Sequence, residues 1–278
     1  MANSSASKPT TTTSSGLEPS SKRTRRVLGD VNVLVLDLRG TLTDWFSPVR
    51  AAIEQAPYHD ESELDASELA VAWYGEIYAT MSRICSQNDA KTLPQYCRIA
   101  LDALVERRRI RGWNNTTREL LCNAWTVGVA WPDALYALPL LNSRFITVAL
   151  GIGSHQDISD IRRSSGVTPH GLLCATTPRE NPFTYEMILM HLELSDKPDM
   201  VAFVSSYADT LRHAAAKGMR TIYIRRPWED PDEDFSSLRP EFDVVIDGTE
   251  VDNPSGGLTA LATALGLSNS ESSSAAAT

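Results

Sequence analysis

Val31-Asn32-Val33-Leu34-Val35-Leu36-Asp37-Leu38-Arg39-Gly40-Thr41-Leu42-Thr43-Asp44-Trp45 is the stretch whose reading decides the fold. It opens with a β-branched and leucine run of strand length, which stops at Asp37 and a turn at Gly40. This is a buried strand. In open parallel sheets ligands sit beyond the carboxyl ends of the strands, so Asp37, which directly terminates this one, stands where a nucleophile is expected. The plain alternative is that Asp37 caps a loop.

Outward from this strand the chain divides. From Val49 to about Leu121 apolar residues recur at helical spacing with Glu and Arg between them, broken by turn signals near Pro57 and Pro94. After Trp131-Pro132-Asp133 short strand-like runs follow at 145–150, 172–174, 200–204, 221–224 and 242–246. Helical stretches near 133–141, 155–164, 183–193, 208–217 and 256–265 separate most of them. Alternating strands and helices imply right-handed crossovers and a parallel sheet covered on both faces. The expected fold is therefore α/β, a Rossmann-like parallel sheet with a helical block inserted after the first strand, above the carboxyl edge. The expected divisions are a core of residues 30–45 and 126–267, a helical unit of 46–125, and disordered tails at 1–29 and 268–278. The first tail is rich in Ser and Thr and ends in Lys22, Arg23, Arg25 and Arg26; a nuclear or organelle signal is the other reading of that basic cluster.

Composition narrows the function classes. A chain of 278 residues with 42% hydrophobic content can bury one substantial core and a smaller accessory module. A formal charge of -9 opposes general binding to a polyanion, so nucleic acid is not expected as a partner. No apolar run reaches the length of a membrane span and no secretory signal opens the chain, so neither a membrane nor export is expected and a cytoplasmic location is. The cysteines Cys85, Cys97, Cys122 and Cys174 lack metal or redox spacing and read as reduced thiols.

The run Asp37-Leu38-Arg39-Gly40-Thr41-Leu42 resembles the first motif, D-x-D-G-T-L, of the haloacid dehalogenase superfamily, in particular its metal-independent 2-haloacid dehalogenase branch. The resemblance spans residues 31 to about 250. It takes in Trp73, Ala124-Trp125, Trp131-Pro132-Asp133, Gly218-Met219-Arg220-Thr221 and Arg225-Arg226-Pro227 in matching order. It implies a helical cap over the core, Asp37 as the carboxylate that attacks substrate and becomes esterified, and Thr41 as a neighbour that orients it. No cofactor is implied, and a homodimer stays open.

Other positions depart from the family pattern. Arg39 stands where phosphatases of the superfamily place a second carboxylate, which removes a metal ligand and a general acid. In the second motif Leu150-Gly151-Ile152-Gly153 has neither hydroxyl nor amide. Ser154 and His155 follow at an expected helix start, where free N–H groups hold an anion or Ser154 serves as a cap. Counted back from Tyr185, Arg179 falls on the third-motif lysine. The fourth motif, Val204-Ser205-Ser206-Tyr207-Ala208-Asp209-Thr210, keeps Ser205 and Ser206, but the family's Asp falls on Thr210 and its Asn or His on Tyr207. Asp209 lies one residue early, about 100° away around a helix. Tyr74 replaces the cap arginine that would hold a substrate carboxylate.

The expectation is a divergent hydrolase acting without a metal on a small organic substrate, Asp37 attacking and Arg39 or Arg179 keeping it ionised. Its substrate contacts are expected at Tyr74, Ser154, Ser205, Ser206, Tyr207 and Asp209. Specialised metabolism is one setting for such chemistry. The rival expectation is a degenerate member that keeps the fold as a binding or scaffold module. The arginines between Glu106 and Arg111 read as a solvated helix face, and Trp113, Trp125 and Trp131 as packing.

Overall fold

The computed structural model describes residues 21–57, 65–85, 91–175, 181–251, 253 and 255–267. In chain order the elements are α1 (Ser21–Val27), β1 (Val33–Asp37), β2 (Thr43–Asp44), α2 (Phe46–Gln55), α3 (Ala66–Cys85), α4 (Leu93–Arg108) and α5 (Asn115–Asn123). There follow β3 (Val129–Ala130), α6 (Pro132–Asn142), β4 (Ile146–Ile152), α7 (His155–Ser165), β5 (Gly171–Ala175) and α8 (Pro182–His191). The chain continues with β6 (Val201–Ser205), α9 (Ala208–Ala216), β7 (Arg220–Arg225), α10 (Phe235–Glu241), β8 (Val244–Asp247) and α11 (Gly257–Leu265).

The sheet runs β5-β4-β1-β6-β7-β8, parallel throughout. β1 lies in the middle, with Leu36 opposite Ala149 of β4 on one side and Val204 of β6 on the other. Strand order reverses about β1, the arrangement that opens a crevice at the carboxyl ends. Alternation along β1 explains why the run is wholly apolar. Leu34 and Leu36 join Leu138 and Leu141 of α6 and Leu258 and Leu261 of α11 in one cluster. Val33 and Val35 join Ile188 of α8 and Leu211 of α9 on the opposite face.

All the strands and helices expected around this core are present, shifted by a residue or two at their ends. The short α10 and the two-residue strands β2 and β3 are additions. β2 and β3 pair antiparallel, Thr43 with Ala130 and Asp44 with Val129, so the connections leaving for and returning from the helical block run together as one ribbon. Asp44 then accepts from the N–H groups of Phe46 and Ser47 at 2.8 and 3.1 Å, satisfying orphan donors of α2. α2 to α5 enclose their own apolar cluster, built on Trp73, Tyr96, Leu101, Leu104 and Trp125. Pro94 opens α4 rather than breaking it, beside a reciprocal Thr92–Gln95 capping box.

The amino-terminal tail is a correction. Residues 21–29, expected to be unstructured, include α1, which buries Thr24, and Leu28 is wholly enclosed in the core cluster. Arg25 donates from Nε to the Ala264 carbonyl at 3.0 Å. Composition averaged over the tail concealed this short anchor: one leucine and one small buried threonine suffice. Residues 1–20 and 268–278 lie outside the described residues. Among those described, no helix is long and apolar enough to cross a membrane.

Candidate active site

Asp37 is the last residue of β1 and is 2% exposed. Its Oδ2 accepts from Ser205 Oγ at 2.9 Å, and Ser205 Oγ in turn accepts from the Tyr207 N–H at 3.1 Å. Ser205 ends β6, the neighbour of β1, so sheet register alone sets this contact. A buried carboxyl group needs such a donor. Thr41 acts at one remove: its Oγ1 accepts from the Ser206 N–H at 2.8 Å, which stitches the loop after β1 to the loop after β6. Ser206 Oγ is buried without a hydrogen-bond partner among the described residues.

The turn between Asp37 and Thr43 is held from behind. Gly40 has φ +86°, and a Cβ there would stand 2.5 Å from Glu229 Oε1. The buried Glu229 also accepts from Trp45 Nε1. Trp131 donates from Nε1 to the Gly40 carbonyl at 2.9 Å, and Arg226 Nε to the Thr41 carbonyl at 3.2 Å. Arg226 further makes a bidentate pair with Asp133, at 2.8 and 2.7 Å. The sequence motifs Trp131-Pro132-Asp133 and Arg225-Arg226-Pro227 thus meet as one buried brace. None of Glu229, Arg226 and Asp133 was picked out as a site residue; each lies far from Asp37 in sequence.

Asp37 opens onto a cavity of about 20 Å³ between the sheet edge and the helical block. Tyr74, Tyr78 and Met81 of α3, Trp125, Leu150 and Arg39 contribute to its wall. That volume holds one or two waters. Arg39 donates from one guanidinium nitrogen to the Trp125 carbonyl at 2.9 Å and lies 5.6 Å from the centre of its ring. Trp125, expected only as packing, lines the cavity, and its buried Nε1 has no hydrogen-bond partner among the described residues. It belongs to a set of near-parallel rings: Trp45 to Tyr74 at 4.1 Å, Trp45 to Trp125 at 5.5 Å and Tyr74 to Trp125 at 5.9 Å between centroids.

A second cavity, of about 240 Å³, lies beyond Tyr74 and Tyr78, which line both. The Tyr74 hydroxyl meets that of Tyr207 at this boundary. Tyr207 and Asp209 face the outer cavity alone. Asp209, an exposed residue of α9, pairs with Arg212 at 2.8 Å, while Thr210 is 3% exposed and lines the outer cavity as well. The one-residue shift read in the fourth motif therefore carries the carboxylate out to solvent.

Ser154, an expected substrate contact, lines neither cavity. It is the N-cap of α7, its hydroxyl and N–H both engaged with Asp157 in a capping box, so of the two readings given for it the structure has the cap and not the anion or substrate contact. The carboxylate of Asp157 already answers those donors. Arg179 lies outside the described residues. The missing second-motif hydroxyl has a packing cause: a Cβ on Gly151 would fall 2.2 Å from Ile158 Cδ1.

No family model matches the sequence, and no curated protein does. Solved structures do. The L-2-haloacid dehalogenase PA0810 superposes with a TM-score of 0.70 at 23% identity, over 85% of this chain and 99% of its own. The defluorinating L-2-haloacid dehalogenase Rha0230 gives 0.70 at 23% identity, over 84% and 95%. The L-2-haloacid dehalogenase from Xanthobacter autotrophicus, with chloropropionic acid covalently bound, gives 0.65 at 15% identity, over 84% and 97%. On these likenesses the chain has the fold of the L-2-haloacid dehalogenases.

Proposed function

We propose that the protein is a hydrolase of the haloacid dehalogenase type, working through Asp37 on a small organic molecule held between the sheet edge and the helical block, which serves as its cap. The carrying observation is the buried carboxylate at the end of the central strand, held by Ser205 and facing a cavity walled by the helical block. An Asp37 oxygen displaces a leaving group from a substrate carbon, and the ester bond forms as the carbon–leaving-group bond breaks. Water then attacks the carboxyl carbon of Asp37, and the ester opens to alcohol and free carboxylate.

Burial favours this chemistry, since a carboxylate stripped of bulk water is a stronger nucleophile and its fixed donors need no rearrangement. Trp125 lines the cavity and its buried Nε1 is without a partner among the described residues, a donor that a departing anion would accept from once the cavity opens. Arg39 sits where a metal-binding carboxylate would be required, and its positive charge opposes a divalent cation. The reaction therefore proceeds without magnesium. The inner cavity, about 20 Å³, is narrow, and Tyr74 and Tyr78 separate it from the larger outer one by which a substrate would enter.

Single turnover in heavy-oxygen water tests the mechanism. A screen of small acids, halides and esters supplies the substrate, and mass spectrometry follows the Asp37 peptide. Label in the Asp37 carboxylate before it reaches product, unaffected by chelator, is the expected result. Label entering product directly while Asp37 stays unlabelled would falsify the covalent route.

A further inference from the structure

The outer cavity has a chemistry of its own. Among the described residues its wall combines the rings of Tyr74, Tyr78 and Tyr207 with the carboxylates of Asp209 and Asp230 and the imidazole of His213, whose Nδ1 lies 2.7 Å from the Asp209 carbonyl, and neither lysine nor arginine lines it. Both carboxylates have partners. Asp230 accepts from the Ala208 N–H at 2.6 Å, and Asp209 shares Arg212 with Glu233 and Glu241. Three carboxylates around one guanidinium still leave this rim negative. Aromatic faces beside negative charge favour a cation and repel a carboxylate.

An independent observation comes from Thr210. It also lines the cavity, yet its buried Oγ1 has no hydrogen-bond partner among the described residues. A helical threonine ordinarily returns its hydroxyl to a carbonyl one turn back, so the idle group calls for an outside partner. Its lone pairs would accept from an N–H donor. Gly75 adds room: it sits on α3, lines the cavity, and a Cβ there would meet nothing within 4 Å.

We infer that the outer cavity, about 240 Å³ in volume, binds a small organic ammonium ion, with the tyrosine rings around the charge and Thr210 accepting an N–H. Tyr74 and Tyr78 form the partition to Asp37, so the bound molecule waits one side-chain movement from the carboxylate. That this ammonium compound is what Asp37 attacks rests on the function proposed above; its binding does not.

Saturation-transfer NMR on the full chain at fixed ionic strength, with tetramethylammonium, methylammonium and acetate as probes, tests this. Both cations should bind saturably and acetate should not. Tyr78→Leu should weaken tetramethylammonium by about twofold to fivefold, and Gly75→Leu, which fills open space on a helix, should abolish it with folding intact by circular dichroism. Thr210→Val should weaken methylammonium by roughly threefold to tenfold while sparing tetramethylammonium, which has no N–H. Absence of saturable cation binding, equal binding of acetate, or binding indifferent to a folded Gly75→Leu would overturn the proposal. Asp37→Asn should bind both cations as the parent does. Cation binding without an Asp37 adduct would remove only the hydrolase reading, and an adduct without cation binding only this one.

Discussion

Arg226 and Asp133 face each other in a bidentate ion pair with bonds of 2.8 and 2.7 Å, in which the arginine side chain is 1% exposed. The pair joins the loop after β7 to the start of α6. Arg226 Nε reaches the Thr41 carbonyl, and Asp133 Oδ2 accepts from the Leu258 N–H at 2.6 Å. A buried ion pair is not in itself a large source of stability, because desolvation offsets most of its attraction. Its consequence is asymmetric: either partner alone is a stranded charge. The cost of breaking it therefore falls on the loop that follows Asp37.

Asp133→Ala is expected to cost about 3–5 kcal/mol in urea unfolding. Arg226→Lys should recover little of the loss from Arg226→Ala, since an ammonium cannot make the paired bonds of a guanidinium. A loss below about 1 kcal/mol for Asp133→Ala would show that the brace is replaceable by water.

Ser205→Ala removes the hydroxyl that donates to Asp37. The fold should survive, while single-turnover formation of the Asp37 ester slows by roughly tenfold to a hundredfold, the equivalent of one charge-assisted bond. An unchanged rate would mean that Ser205 holds Asp37 no better than water does.

Gly151→Ser cannot restore the second motif as a simple addition, because the new Cβ meets Ile158. Overpacking of this kind costs about 1–3 kcal/mol. Ile158→Val deletes the nearest methyl group, so the double variant should melt above Gly151→Ser alone. A double variant less stable than both singles would refute the packing explanation.

Alkaline pH is expected to weaken the fold. Burial pushes the Cys122 thiol up to about 12 and raises Cys97 and the Tyr223 phenol as well. For acids kept neutral by the fold, stability is whole below the unfolded value, about 8.5 for a thiol, and is lost as pH climbs toward the folded one. Each group steepens the decline by at most about 1.4 kcal/mol per pH unit. Urea midpoints under reducing conditions should fall between about pH 8.5 and pH 10.5, less steeply in Cys122→Ala. A flat profile would show that these groups ionise without opening the structure.

The sheet was legible because its strands are long unbroken apolar runs with helical spacing between them, and nothing else packs that way. Asp37 was legible for a related reason: it ends the first run. What escaped reading depends on contacts between distant positions. Gly40 declares a turn, but not that Glu229 sits against it. Trp125 reads as one more buried ring until the structure sets it against the cavity, its N–H without a partner among the described residues. The short α10 carries Pro240 inside it and too few turns to show a period. Asp209 was expected as a substrate contact although helix geometry set it about 100° from the motif position, and the structure turns it away from Asp37, toward the outer cavity and solvent.

The amino-terminal segment supplies the remaining test, because composition and structure give different answers for residues 21–29. Composition counts apolar area and finds almost none. The structure places what there is efficiently: Leu28 is fully enclosed, and Val27 packs against the same cluster. Arg25 lies at the end of α11, where its Nε donates to the Ala264 carbonyl and its guanidinium stands near Gly266, which closes the helix at φ +79°. A cation there satisfies an orphan carbonyl and meets the negative end of the helix dipole. Leu28→Ala should therefore cost about 2–5 kcal/mol, as enclosed leucines do, and Arg25→Ala about 1 kcal/mol. Removing residues 1–29 should lower the melting midpoint at least as far as Leu28→Ala alone. Calorimetry on the three variants decides it: a truncated chain that melts with the full-length protein would return these residues to the status of a tail.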